Sequence, residues 1–261
     1  MSRHHETRVT VDAPLAEVWK AISEAPEIAR WFAPKIDVEP GVGGFVLADW
    51  GPGLEWKTAI EIWEPERHLR LVETRDRVMT SAPVTQPLEA CKLIQDYYLE
   101  GQGGQTVLRL VHSGFGSSAD WDVEYEGTRW GWASCFLRLQ HGLERHRGDS
   151  VHNSIVTAIC EGVSWEESLA RIEAAAPPEM QVLLREKYHL SGLLPDRNGS
   201  ILTVSVQPFV SPQDLAPGGS VAYVELLLYG FSDDESSRFE QDWRLKAAAL
   251  FASPRGAGST R

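Results

Sequence analysis

Three polar residues alternate along two predicted strands, where they could act on a small molecule. Gln95 and Tyr97 belong to one strand, and His112 to the next. The charged Arg109 should face water, so His112 is expected on the opposite, buried face of its strand. Histidine titrates near neutral pH and a phenol can donate a proton to a developing enolate, so His112 and Tyr97 are candidates for an acid–base pair.

The same inward-facing positions also describe a binding site without a reaction. A mostly apolar wall would provide affinity through burial, and a few polar groups would orient the ligand. Buried histidines and tyrosines are also common as hydrogen-bonded core residues, so we favour binding and keep catalysis as the alternative. The predicted ligand-binding residues are Trp56, Gln95, Tyr97, Leu110, His112, Trp130, Trp132 and Phe136.

Motifs for other chemistries are missing from the sequence. The glycine-rich stretches 41–44 and 101–104 lack the lysine of a P-loop and the spacing of a dinucleotide-binding turn, so we predict simple turns. No GxSxG nucleophile motif and no HExxH metal motif occur. The cysteines are widely spaced and form no CxxC pair. We therefore expect no metal and no cofactor.

The composition is that of an acidic globular protein. The chain has 261 residues and a formal net charge of −12 at pH 7. A negative field repels phosphate backbones and anionic lipids, so we expect no nucleic-acid partner and no membrane insertion. The sequence has neither a signal peptide nor an apolar run of membrane-spanning length. We expect a cytoplasmic protein whose partner is a small hydrophobic molecule.

Hydrophobic periodicity predicts an α+β fold for the first half. A strand over 7–12 leads into a helix starting at residue 15, and a short second helix begins at Pro26. Five strands in meander order follow between 41 and 115. The pattern then changes to a period near 3.6 over 127–146, which predicts a long amphipathic helix lying across a curved antiparallel sheet.

The remainder of the chain repeats some of these features in shortened form. We predict a first domain over residues 1–146, a smaller α+β domain over 147–251 and a disordered tail over 252–261. The second domain has room for only two strands between its helices, so we interpret it as a truncated, degenerate second copy. Whether it caps the first domain or forms a homodimer stays open.

An ordered set of short motifs runs along the first half. These are Val11-Asp12-Ala13-Pro14 with Val18-Trp19, Arg30-Trp31-Phe32-Ala33-Pro34, Glu61 to Pro65 with Leu69, His112-Ser113-Gly114-Phe115, and Gly131-Trp132 before Leu137, Leu139 and Leu143. In this order they resemble the SRPBCC superfamily over about residues 5–146. Within it the chain is similar to the branch named after the activator of the ninety-kilodalton heat-shock-protein ATPase.

This resemblance implies a helix-grip fold with an internal hydrophobic cavity. Members of the superfamily, which includes START domains, polyketide cyclases and the birch-pollen allergen, transfer lipids, bind hormones, cyclise polyketides, resist toxins or activate a chaperone. Fold membership alone therefore does not determine function. The resemblance implies three alternatives: binding of a hydrophobic ligand, a cyclase- or hydrolase-like enzyme using His112 and Tyr97, and a co-chaperone-like interaction module without a ligand.

Overall fold

Two antiparallel sheets lie on either side of one long helix. The computed structural model describes residues 2–51, 54–75, 91–160, 163–207 and 220–251. One sheet takes its strands from residues 3–115 and the other from residues 151–229. The predicted tail, 252–261, lies outside the described residues.

The first sheet has seven strands and confirms the predicted helix-grip architecture. The five strands predicted between 41 and 115 are present, and an additional short strand, β2, precedes them. The spatial order is β1-β7-β6-β5-β4-β3-β2. The elements are β1 (Arg3–Val11), α1 (Leu15–Ser23), α2 (Ala25–Ile28), β2 (Lys35–Glu39), β3 (Phe45–Asp49), β4 (Glu55–Glu64), β5 (His68–Arg75), β6 (Cys91–Gln102), β7 (Gln105–Phe115) and α3 (Asp122–Arg145).

The helix α3 covers the concave face of this sheet. Its residues Trp132, Phe136 and Leu139 recur at intervals of three and four, so they form one apolar stripe. The stripe packs on strand residues such as Leu108 and Leu110, which are fully buried because their side chains share one face of β7. The alternation of the sequence therefore determines which side of the sheet holds the helix.

The second sheet has five strands in the order β8-β12-β11-β10-β9. The prediction of only two strands between the helices of this half is wrong, because β9 and β10 add two more. Those strands are short, and Ser191 and Gly192 interrupt the apolar pattern of β10, so the sequence resembles a loop there. The elements are β8 (Val151–Cys160), α4 (Trp165–Ala175), β9 (Gln181–Arg185), β10 (His189–Leu194), β11 (Ser200–Gln207), β12 (Ser220–Tyr229) and α5 (Asp233–Leu250).

Both faces of the second sheet are covered. On one face Val204 and Leu226 pack with Trp243 of α5 in an apolar core. The opposite face lies against α3, where Leu137 packs on Ile201 and Leu227 of the sheet. The helix α3 is therefore shared by two sheets, and the second half forms its own sheet while it also caps the first.

The helices of the second half begin at residues that stabilise a helix start. The Ser164 side chain accepts a hydrogen bond from the backbone N–H of Glu167, as its spacing predicts. Ser232 and Glu235 form a complete capping box at the start of α5. Among the described residues, no helix has the length and apolar character needed to cross a membrane.

Candidate functional site

Aromatic side chains fill most of the space between the first sheet and its helices. Phe32 stacks on Trp132 with ring centroids 5.3 Å apart, and Trp31 contacts Phe136 edge to face. The cavity that remains there has a volume of about 30 Å³. A single water needs about 10–15 Å³, so this space is too small for the hydrophobic ligand that the sequence predicted inside the sheet.

Five of the predicted site residues meet around this small space or beside it, and one of them, Trp56, also borders a second cavity described below. Gln95 and Tyr97 line it, and the Tyr97 hydroxyl donates a hydrogen bond to Gln95 Oε1 at 3.0 Å. Burial raises the pKa of Tyr97 well above its ordinary value. Leu110 and Phe136 are buried in the surrounding apolar core.

His112 lies in the core close to these residues, opposite Gln95 on the neighbouring strand. Its Nδ1 accepts a hydrogen bond from Trp132 Nε1 at 3.1 Å. Its ring packs against His5 and Phe115. These contacts position the imidazole within the core, and its pairing with Tyr97 as acid and base stays a prediction.

A larger cavity lies between α3, the β3–β4 hairpin and the second sheet, and we call it the inter-sheet cavity. Its volume is about 140 Å³. Two predicted site residues, Trp56 and Trp132, line it. Trp130 is half-buried, and its indole N–H donates to Glu126 Oε2 at 3.2 Å on the same helix. The full lining is Phe32, Trp50, Leu54, Trp56, Glu124, Gly127, Thr128, Gly131, Trp132, Ser134, Cys135, Arg138, Ile155, His189, Ser205, Tyr223 and Glu225.

One wall of the inter-sheet cavity is a continuous set of aromatic rings. Phe32 contacts Trp50 at 4.9 Å between ring centroids, and Trp50 contacts Trp56 at 5.2 Å. Phe32 also stacks on Trp132, so the four rings hold one another in place. Phe32 follows α2 and Trp50 follows β3, whereas Trp56 lies on β4 and Trp132 on α3.

A second wall is a stripe of α3 that turns away from the first sheet. Gly127 and Gly131 lie one helical turn apart on this stripe, and the absence of side chains there leaves space. A Cβ atom built on Gly131 would lie 4.0 Å from His189 Nε2 of the second sheet. A side chain larger than that of alanine at this position would therefore press against the His189 ring.

The third wall is a row of polar residues across the second sheet. His189 on β10 pairs with Ser205 on β11, which pairs with Tyr223 on β12. Sequence reasoning missed this row because each residue stands between apolar neighbours in a strand whose two faces are both buried. The sequence does contain one indication of this row: polar residues recur at every second position of these strands, which places them on one face of the sheet.

His189 is the most unusual group in this wall. It is 3% exposed, and neither ring nitrogen has a hydrogen-bond partner among the described residues. Burial, followed by the nearby charge of Arg138, lowers the pKa of His189 to about 4. The ring is therefore neutral at pH 7 and presents one N–H donor and one nitrogen acceptor.

A buried ion pair closes one end of the cavity. Arg138 of α3 is 3% exposed and donates from Nη1 to the Glu225 carboxylate of β12. Its Nη2 donates to Cys135 Sγ at 3.1 Å. Burial opposes the guanidinium charge, but Glu225 and Cys135 outweigh it and raise the pKa of Arg138. Burial also raises the pKa of Cys135, which keeps the thiol protonated and unsuited to nucleophilic attack.

A third cavity, of about 260 Å³, lies between α1, α2, α3 and β12. Charged side chains line much of it, including Arg147, which pairs with Glu17 at 2.9 Å, and Arg30, which pairs with Glu27 at 3.6 Å. Such a wall is unsuited to an apolar ligand. Within the described ranges, no group of three or more His, Cys, Asp or Glu side chains could hold a metal ion.

The curved antiparallel sheet that grips a long carboxyl-terminal helix defines the first half as an SRPBCC-type helix-grip domain. A family model described as activator of Hsp90 ATPase homolog 1-like protein matches residues 12–144. The chain belongs to this family, which confirms the branch that the sequence motifs resemble. No curated protein matches the chain.

Several solved structures are similar to parts or all of the chain. Protein MLL2253 from Mesorhizobium loti is 23% identical, with a TM-score of 0.44, over 53% of this chain and 95% of its own. The Aha1 dimer from Colwellia psychrerythraea is 17% identical, with a TM-score of 0.43, over 54% and 96%. DynU16, from the dynemicin biosynthetic locus, is 17% identical with a TM-score of 0.44 and covers 95% of both chains.

Proposed function

We propose that this protein binds a small apolar molecule in the inter-sheet cavity. The observation that carries the proposal is a cavity of about 140 Å³ with four aromatic rings in its wall. An apolar cavity of about 150 Å³ engineered into another protein binds benzene. The space therefore suits a ligand, or the part of a ligand, that has the size of one six-membered ring.

The proposal keeps the predicted ligand class and changes its location. Trp56 and Trp132, predicted from the sequence as lining residues, border the proposed site. The hydrophobic ligand is expected on the side of α3 that faces the second sheet, where both halves of the chain contribute to its binding. The second half would then be a part of the site.

The expected affinity is modest. A ring-sized ligand removes about 150 Å² of apolar surface from water, which is worth about 4 kcal/mol at about 25 cal/mol per Å². Because association also costs translational and rotational freedom, we expect a Kd of about 1 mM or weaker. Titrations must therefore extend to millimolar ligand.

Titration of the full chain with toluene, followed by calorimetry and by protein NMR shifts, tests the proposal. We expect saturable binding by the unaltered protein. Gly131→Leu should weaken binding by at least about tenfold, because a leucine side chain at this position occupies much of a ring-sized space.

The matched control is Arg129→Leu, which introduces the same side chain at an exposed position of the same helix. This variant should bind toluene as the unaltered protein does. Absence of saturable toluene binding, or equal binding by Gly131→Leu and Arg129→Leu, would contradict the proposal.

A further inference from the structure

We infer that the ligand of the inter-sheet cavity is an uncharged aromatic hydroxyl compound, a phenol, whose hydroxyl group binds to the His189 imidazole. This inference rests on the proposed function and adds the chemical class of the ligand. It arises from one buried side chain that faces the cavity with its hydrogen-bonding groups unused.

His189 lacks the partners that a buried imidazole normally has. Both ring nitrogens are inaccessible to solvent and have no hydrogen-bond partner among the described residues. Leaving buried polar groups unpaired destabilises a protein, so such groups in native structures usually contact a water or a ligand. Because His189 lines the cavity, a molecule in the cavity is the group positioned to satisfy it.

The orientation of the ring agrees with this role. His189 Nε2 faces Gly131, where the helix carries no side chain. The aromatic wall formed by Phe32, Trp50 and Trp56 belongs to the other half of the chain. A ligand with one apolar ring and one polar substituent can therefore contact aromatic rings on one side and the imidazole on the other.

The charges in the wall disfavour a charged ligand. Glu124 and Glu225 present carboxyl groups, which repel an anion, and Arg138 presents a guanidinium, which repels a cation. Arg138 and Glu225 already pair with each other. Any ion entering this site would lose its hydration, whereas a neutral hydroxyl group loses much less.

A phenol hydroxyl can satisfy the imidazole in either direction. It donates its proton to an unprotonated ring nitrogen or accepts a hydrogen bond from the ring N–H. Near pH 7.5 the imidazole is neutral and phenol, with a pKa of about 10, is neutral as well. Binding therefore requires no proton transfer.

The test compares phenol with toluene, which has nearly the same shape and lacks the hydroxyl group. Kd values for both are measured by calorimetry at pH 7.5 with the full chain, with His189→Leu and with His189→Gln. The measured quantity is the ratio of the toluene Kd to the phenol Kd. This ratio cancels changes in cavity shape that affect both ligands equally.

We expect the ratio to fall about tenfold in His189→Leu, as is typical for the loss of one buried hydrogen bond. Toluene affinity should stay within about threefold, which also shows that the variant is folded. His189→Gln, which retains a donor and an acceptor, should restore part of the phenol preference.

The failures of the two proposals are distinguishable. If toluene and phenol bind to the unaltered protein and their ratio is the same in His189→Leu, the inference about the ligand class is overturned while the proposed binding function stands. If neither compound binds to the unaltered protein, both proposals are overturned.

Discussion

Burial keeps two histidines of this protein uncharged, and each couples folding to pH. His5 packs against His112, Phe115 and Tyr125 in the first half, and His189 lies in the wall of the inter-sheet cavity. In both cases burial is the main cause that lowers the pKa from 6.5 to about 4. Between pH 6.5 and about pH 4, these two histidines are therefore protonated in the unfolded chain but not in the folded chain.

We predict that the free energy of unfolding falls as the pH is lowered from about 6.5 towards 4. Over that interval each histidine binds a proton only in the unfolded state, so each contributes a slope of about 1.4 kcal/mol per pH unit. Above pH 6.5 both contributions are fully present. Urea denaturation at several pH values between 5 and 7, above the range where most carboxylates titrate, measures the slope.

His189→Leu should remove the part of this slope that His189 contributes. The remainder should persist because His5 is unchanged, as is His141, whose pKa burial also lowers. His5→Leu is the complementary variant and should give a similar reduction. Identical slopes in the unaltered protein and in His189→Leu would show that the folded state protonates His189 without cost.

At the scale of single residues, the sequence indicated the aromatic part of the candidate site better than the polar part. Trp56 and Trp132 were predicted to line a ligand space, and they border the inter-sheet cavity. His189 and Ser205 were not predicted, because a polar residue within an apolar strand gives no indication of what its side chain faces. Only the register between neighbouring strands shows that the two lie side by side.

At the scale of elements, α3 differs most from its sequence-based prediction. The apolar stripe through Trp132 and Phe136 correctly predicts packing on the first sheet. Arg138 lies off that stripe and would be expected in water, yet it is buried because β12 places Glu225 opposite it. The partner is 87 residues away in sequence, so no local pattern reveals the second buried face.

Periodicity predicted the elements of the first half because most of its strands have one buried and one exposed face. Strand β7, for example, alternates the half-buried Arg109 with the fully buried Leu108 and Leu110. In the second half this contrast is lost, because α4 and α5 cover one face of the sheet and α3 the other. The short strand β10 was therefore missed, whereas the longer β11 and β12 were predicted. Strand β9 was missed for a different reason, because it is short and mostly exposed on both faces.

The ion pair between α3 and β12 gives a stability prediction at this scale. Arg138→Met leaves the Glu225 carboxylate partly buried without its partner, so it should lower the free energy of unfolding by about 3 kcal/mol. The double variant Arg138→Met with Glu225→Leu should recover most of that loss, because it removes both charges. Urea denaturation of the single and double variants measures the two values.

Arg244→Met is a suitable control, because Arg244 forms its ion pair with Glu240 at a half-exposed position of α5. That substitution should cost less than about 1 kcal/mol. A loss for Arg138→Met no larger than that of the control would mean that the buried pair contributes little to holding the two sheets together.

At the scale of the whole molecule, several contacts besides α3 connect the two halves. Arg30 of the first half donates hydrogen bonds to the backbone carbonyls of His146 and Asp149, in the short connection between α3 and β8. Asn153 on β8 donates to the carbonyl of Ala29 at 2.9 Å. The connection between the two halves is thus held by the first half. These contacts favour cooperative unfolding of both halves.

We therefore predict a single unfolding transition for the full chain, even though each sheet has its own core. Val204→Ala, in the core of the second sheet, should lower the free energy of unfolding by about 2 kcal/mol. Most of the ten tryptophans lie before residue 146, so tryptophan fluorescence mainly reports on the first half. If the halves unfold together, the fluorescence midpoint should nevertheless shift in this variant. Leu108→Ala, in the first core, should shift the entire transition that circular dichroism records, including the part contributed by the second half. Urea titrations monitored by both methods test this coupling. If Val204→Ala separates the fluorescence and dichroism midpoints, the halves unfold independently, and the inter-sheet cavity can open without unfolding of the first domain.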